Sequence, residues 1–340
     1  MFLDDQFKYA FKIALAFFTI LIGIYFFTKM VWILSLIIIS LLIVYSLSPA
    51  VDYLAGWKKM PRIVAVVFVY LLFLCLIVLA VYLIIPIMIA EIRDLARLLP
   101  TYSRILQPYI YELAEVIARP ELVDIFLGFL QQLPGHLQEV MKQATSITVV
   151  AFSRLAEVLI VMFMVFYLLR DLDAIKATFV DYLPRAWRNE SLHVLEVIDE
   201  KVGAYLRGNF VRCTVVGVFT GTGLAILGMP FSFMLGVLAG ILNIIVYIGP
   251  YIAAIPAVII ALSVSLQFTF IIILLYIVIQ SLDAFVITPF LLGRAVNLHP
   301  FTVIVAILIG ASLLGLLGII LGIPAAATMK VLFNYYRKEI

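Results

Sequence analysis

Charge is scarce in this sequence. Only 13% of its 340 residues are Asp, Glu, Lys or Arg, and the formal net charge of +3 is spread along the chain rather than gathered into a basic face. Nucleic acid is therefore not an expected partner. Histidine occurs three times, and Cys75 and Cys213 each lie in apolar text with no second Cys or His beside them. Without that spacing neither a metal centre nor a disulfide framework is expected, and both thiols read as lipid-facing or core residues. There is no His-Glu-x-x-His, no glycine-rich phosphate loop and no second intramembrane aspartate to form an acid pair. Ser263, Ser265 and His299 are too loosely placed to make a nucleophile with its base. The text implies no enzyme and no cofactor, and an ATP-driven pump would need its phosphate loop on another chain.

What the sequence has is oil. Hydrophobic residues make up 66% of it, with a mean hydropathy of +1.21. Apolar runs near 12–28, 31–48, 63–90, 149–169, 209–228, 231–265, 268–288 and 300–329 give an expected eight membrane helices, the sixth interrupted, since a helix needs ~20 apolar residues to cross the hydrocarbon core. No ten-residue alternation suggests a β-barrel. The expected fold is an all-α integral membrane protein with at least one span broken by Gly-Pro. The first run reads as a retained helix, because no small-residue cleavage site follows it before Thr28-Lys29-Met30 and the second run. Lys58, Lys59, Arg62, Lys330, Arg337 and Lys338 favour a cytoplasmic loop and cytoplasmic termini.

The expected organisation is a scaffold of three spans (1–90), an outer amphipathic insert (91–148), a fourth span (149–169), a cytoplasmic interfacial insert (170–208), a transport core (209–330) and a tail (331–340). In the outer insert Leu95, Leu99, Tyr102, Leu106, Tyr109, Leu113 and Val116 alternate spacings of four and three, and Val123 to Val140 repeats the pattern. Such a seam packs on the membrane surface, on its own chain or between subunits. In the inner insert Trp187 and Tyr205 are expected near headgroup level.

The core concentrates breakers. In NIIVYIGPYIAAIPA, residues 243–257, Gly249, Pro250 and Pro256 interrupt an apolar stretch, and Pro289, Pro300 and Pro324 follow. Each proline is expected to free a backbone carbonyl that lipid cannot satisfy, so the unwound chain should border protein or a wet cavity, as discontinuous transporter helices do. Leu-Gly-x-Pro occurs in both AILGMPF (225–231) and IILGIPA (319–325), which suggests corresponding turns of a repeat. Between residues 214 and 329 the only acidic, basic or histidine side chains are Asp283, Arg294 and His299, with Asn243 and Gln280 as neutral company. Asp283 is the candidate for ion or proton binding, with Gln280 on its helical face. Its alternative role is a structural pair with Arg294, and His299 is expected to cap or anchor the last span, with proton coupling as its second reading. Arg154 and Glu157 are expected to pair across one turn.

The segments FYLLRD (166–171), YLRGN (205–209), GVLAGILNIIVYIGPYIAAIPA (236–257), QSLDAFVITPFLLGRAVNLHPF (280–301) and LGLLGIILGIPAAATMKVL (314–332) together resemble the autoinducer-2 exporter family of bacterial and archaeal membrane proteins. The resemblance implies eight spans, a homo-oligomer with the family's pentameric form, and a plasma-membrane location. It further implies transport of a small solute, either export of autoinducer-2 or sodium or lithium/proton antiport, with Na+ or H+ as coupling ion. On the matching segments it singles out Arg170, Asp171, Arg207, Gly208, Asn243, Gly249, Pro250, Pro256, Asp283, Pro289, Gly293, His299, Pro300 and Pro324. The chain departs from the family at Asn209, where Gln is usual, at Val246, where a proline is common, and at Ala284-Phe285, where an Asn often follows the acid. A pore-forming oligomer is the remaining alternative, although no ring of like charge lines any one span.

Overall fold

In the computed structural model, residues 2–57, 60–117, 147–292 and 298–338 are described, with four isolated positions between 128 and 139. Among them the chain is helical, with no strand. The helices are α1 (Phe2–Trp57), α2 (Arg62–Ile117), α3 (Ile147–Asp181), α4 (Arg185–Ile226), α5 (Ser232–Leu242), α6 (Gly249–Val264), α7 (Leu266–Leu282), a π-turn (Asp283–Ile287), α8 (Thr288–Leu292), α9 (Pro300–Leu314) and α10 (Leu316–Lys338). Among the described residues, four stretches are long and apolar enough to cross a membrane: Met30–Gly56, Arg62–Pro108, Trp187–Ile226 and Leu266–Leu292. Shorter apolar helices occupy Ser232–Leu242, Gly249–Val264, Pro300–Leu314 and Leu316–Lys330.

Several expected boundaries are absent. The first two runs form one helix of 56 residues, because Thr28-Lys29-Met30 contains neither glycine nor proline and nothing there stops the hydrogen-bond ladder. The third run likewise continues to Ile117 through Pro86, Pro100 and Pro108. At 1.5 Å per residue each of these helices is roughly 84 Å long, far more than a ~30 Å hydrocarbon core. The fourth run passes through Arg170-Asp171 to Asp181, and the inner insert joins the fifth run as the single helix α4.

Helix α2 ties two packed regions together. Its start packs Ala65, Val66 and Val69 against Val44 and Val51 of α1 and Val165 and Leu169 of α3. Farther on, Leu95 and Leu99 enter a core made with Leu224, Leu235, Ala257, Ile260 and Ile272. Leu106 meets Ile259. The seam expected from the outer insert therefore packs on its own chain from Leu95 to Leu106. The side chains of Tyr109, Leu113 and Val116, and the second seam to Val140, lie outside the described residues. Glu91 accepts the N–H of Met234 at 2.6 Å, which gives the first turn of α5 the acceptor that its own Phe231 cap does not supply.

Glycine sets how closely the later helices approach. Gly217 and Gly221 of α4 face Gly236 and Gly240 of α5 backbone to backbone, and Gly310 of α9 faces Gly318 of α10. The eighth run is thus a hairpin that reverses at Gly315, whose φ of 58° a side chain would resist. The two Leu-Gly-x-Pro phrases do not correspond: the first spans the turn between α4 and α5, and the second lies inside α10, which accommodates Pro324. Tyr205 packs inside the chain, buried with Leu206, Leu292, Val303, Ile307 and Ile323. Trp187, by contrast, is exposed.

Candidate functional site

The break expected at NIIVYIGP is present. Helix α5 ends at Leu242, the chain makes irregular turns through 243–248, with Tyr247 at φ 68°, and α6 begins at Gly249. Pro250 sits in the first turn of α6, where a missing N–H costs nothing, so it starts a helix rather than breaking one. Pro256 lies inside α6 without ending it. The break is instead held by Gly249, where a Cβ would stand 1.8 Å from the Leu242 carbonyl oxygen.

The freed carbonyl has found a partner. In a continuing helix the Asn243 C=O would receive the N–H of residue 247, but here Arg212 donates to it through Nη2 at 2.6 Å. With its amide oxygen turned to the guanidinium, the Asn243 side chain also accepts from Nε at 3.3 Å and Nη2 at 3.2 Å. Arg212 projects from α4, where Tyr205, Asn209, Arg212 and Val216 recur at helical spacing and are all buried. On its other side, Nε of Arg212 lies 3.7 Å from Oδ1 of Asp283, which also accepts from the Thr288 hydroxyl at 3.2 Å. The relative exposures of Arg212 (5%), Asn243 (1%) and Asp283 (3%) take this group out of contact with lipid and bulk water. A carboxylate and a guanidinium at such depth persist only as a pair, since each isolated charge would be far more costly.

The acid opens the π-turn, in which the Thr288 N–H reaches back to the Asp283 carbonyl. Pro289 supplies a reason. It has no N–H to return to residue 285, and its ring crowds that carbonyl in a regular helix, so the preceding turn widens. Gln280 and Asp283, three residues apart where the regular helix enters that turn, have different surroundings. Gln280 lines a groove of about 440 Å³ with Pro250, Tyr251, Tyr276, Ala284 and Phe285, whereas Asp283 faces Arg212 and takes no part in that groove. Gln280 and Asp283 are therefore not brought together in one site.

The remaining singled-out residues have separate surroundings. Arg207 donates to the Tyr45 carbonyl at 3.0 Å; that oxygen lacks its helical donor because residue 49 is proline. Asn209 is buried, and its Oδ1 has no partner among the described residues. Arg170 and Asp171 form an exposed pair at 2.6 Å, with the guanidinium over the Tyr167 ring, and it holds the Asp171 carboxyl below its usual range. Arg154 and Glu157 pair at 2.7 Å, as their spacing implied. His299 caps α9, accepting the Phe301 N–H on Nδ1 at 3.3 Å, and Pro300 is that helix's first residue. Arg294 and Gly293 lie outside the described residues, so the cation seen beside Asp283 is Arg212. Reading only 214–329 missed it, although its spacing from Tyr205 and Asn209 on one face of α4 was available.

Comparison with known proteins agrees with this picture. The family model described as AI-2E family transporter matches residues 13–338. YrrI of Bacillus subtilis (strain 168), which carries a transport-protein name, is 28% identical over 315 residues, covering 88% of this chain and 85% of YrrI. YueF of the same organism, also named as a transport protein, is 30% identical over 291 residues, 81% of this chain and 77% of its own. AI-2 transport protein TqsA of Escherichia coli (strain K12) is 24% identical over 297 residues, 86% and 83% of the two chains. These relatives are named for transport and not for an enzymatic activity. The family match over nearly the whole length, with which the apolar membrane-length helices agree, makes this chain a member of the AI-2E transporter family.

Proposed function

We propose that the chain is a secondary transporter of the plasma membrane that exports a small polar solute such as autoinducer-2, with proton or sodium coupling at Asp283. The observation that carries this reading is the Arg212–Asp283 pair, placed where α5 breaks and where α7 widens into the π-turn. Protonating Asp283 would remove the charge that holds Arg212 and leave the guanidinium with the Asn243 groups alone. The elements joined there, α4, the 243–248 break and the π-turn, would then be free to separate. A device of that kind exchanges a proton for a movement of helices. Cytoplasmic termini follow from the basic residues at 58–62 and 330–338, and assembly into a homo-oligomer is part of the same reading.

The second reading is Na+(Li+)/H+ antiport without an organic substrate. It is favoured by the same buried carboxylate, which a small cation could take over if Arg212 withdrew. Vesicles reconstituted with the purified chain separate the two. Proton-driven accumulation of autoinducer-2 is expected on the first reading, and sodium-dependent proton movement without solute flux on the second. Asp283→Asn is expected to abolish coupled flux in either case; unchanged flux would remove Asp283 from the mechanism. Steady single-channel currents in planar bilayers would replace both readings with a pore.

A further inference from the structure

The groove between α6 and α7 lies on the far side of the π-turn from the ion pair, and its chemistry differs. At about 440 Å³ it falls within the ~300–1,000 Å³ typical of small-molecule sites. Tyr251, Tyr276 and Phe285 provide aromatic walls, and among the described residues no acidic or basic side chain lines it. Ser281 Oγ is committed to the Ile277 carbonyl at 2.7 Å, and the Tyr276 hydroxyl points at the Ala253 carbonyl at 3.4 Å. The Gln280 amide, half-buried in the same groove, has no hydrogen-bond partner among the described residues. An amide offers two donors and one acceptor, and leaving them unmet at membrane depth costs several kcal/mol in hydrocarbon, about 4–8 on a water-to-cyclohexane reference.

We propose that this groove is a binding site for an uncharged solute with hydrogen-bonding groups at one end and an apolar face, held by Gln280 and by the Tyr251, Tyr276 and Phe285 walls. Charged solutes find no counter-charge among the described residues that line it and are excluded by the cost of desolvation. Ala284 and Phe285 belong both to the groove and to the π-turn that begins at Asp283, so an occupant presses on the turn that carries the ion pair. The proposal rests on the transport reading above and adds to it the charge class of the solute.

The test places a thiol in the groove of the full-length chain in membranes. Ala284→Cys, with Ser281→Cys as a second position, is made in a Cys75→Ala/Cys213→Ala background. A thiol reacts with methanethiosulfonates only as the thiolate, which requires water. Uncharged methyl methanethiosulfonate is expected to label both positions at least tenfold faster than Leu274→Cys, which is exposed on α7 but does not line the groove. The sulfonate- and trimethylammonium-bearing reagents are expected to react at least tenfold more slowly than the uncharged one. Adding Gln280→Leu is expected to slow labelling at both positions. Labelling no faster than at Leu274→Cys would mean a lipid-filled groove and overturn the proposal. So would spontaneous disulfide dimers through either cysteine, which would mean that a second copy fills the groove, and so would equal rates for charged and uncharged reagents. Flux in the vesicles described above is read separately: intact transport with an inert groove sinks this proposal alone, and a wet, charge-excluding groove without flux sinks the transport reading.

Discussion

At the scale of single residues, Arg212 and Arg207 act where the backbone has lost a partner. Arg212 meets the Asn243 carbonyl at the end of α5, and Arg207 meets the Tyr45 carbonyl that Pro49 leaves without a donor. The first contact is coupled to an ion pair. Arg212→Met should therefore cost about 3–5 kcal/mol by stranding Asp283, and Arg212→Met/Asp283→Met should recover much of that loss, because a buried pair replaced as a whole is close to neutral. Chemical unfolding of the purified variants checks this, and a double variant as unstable as the single one would show that the pair is not the interaction being lost. The second contact makes a different prediction. Pro49→Ala restores an N–H to the Tyr45 carbonyl, so Arg207→Met should be costly in the native background and cost about 1 kcal/mol less in the Pro49→Ala background, the worth of one hydrogen bond. Equal costs in the two backgrounds would mean that Arg207 matters for something other than that oxygen.

Among the elements, the broken helix and the π-turn have separable causes. Gly249 closes the break against the Leu242 carbonyl, and a methyl group at 1.8 Å from that oxygen cannot be accommodated without moving backbone. Gly249→Ala should destabilise by more than about 3 kcal/mol, whereas Gly228→Ala, at φ 72° in open space, should cost only the ~1–2 kcal/mol of a left-handed residue. Thermal unfolding followed by circular dichroism distinguishes them; similar losses would contradict the packing argument. The π-turn should depend on Pro289. With Pro289→Ala the turn can tighten into a regular helix, which rotates Asp283 away from Arg212. The coupling energy between those two residues, measured by a double-variant cycle, should then fall by about half or more from the several kcal/mol expected of a buried pair. An unchanged coupling would show that the turn holds its shape without the proline.

Across the whole molecule, α2 joins the α1–α3 scaffold to the core built from α4 to α7. Its far half packs inward, so Leu99→Ala should cost about 2–5 kcal/mol, while Leu98→Ala, 41% exposed on the next position, should cost little. A small effect at Leu99 would mean that the seam is held by another subunit. This half of the helix was legible in the sequence as a heptad seam, but its partner was not, since a seam states only that one face is apolar. The same limit applies at the site. The break at 243–248 and the singular Asp283 could be read from breaker residues and isolated polarity. That Arg212 stands beside the acid, and that Gln280 lines a groove in which the acid takes no part, could not, because both depend on how distant helices pack around the turn at Asp283.

The sequence by itself determined that this is a helical membrane protein, of which family it is a member, and that its backbone breaks near Gly249. Those properties depend on how much apolar text there is and where glycine and proline fall, and both act locally. Only the tertiary structure decided where the long helices run on, which prolines are tolerated within them, and which charges meet. Those outcomes depend on groups distant in the chain satisfying one another in a medium that supplies no hydrogen bonds of its own.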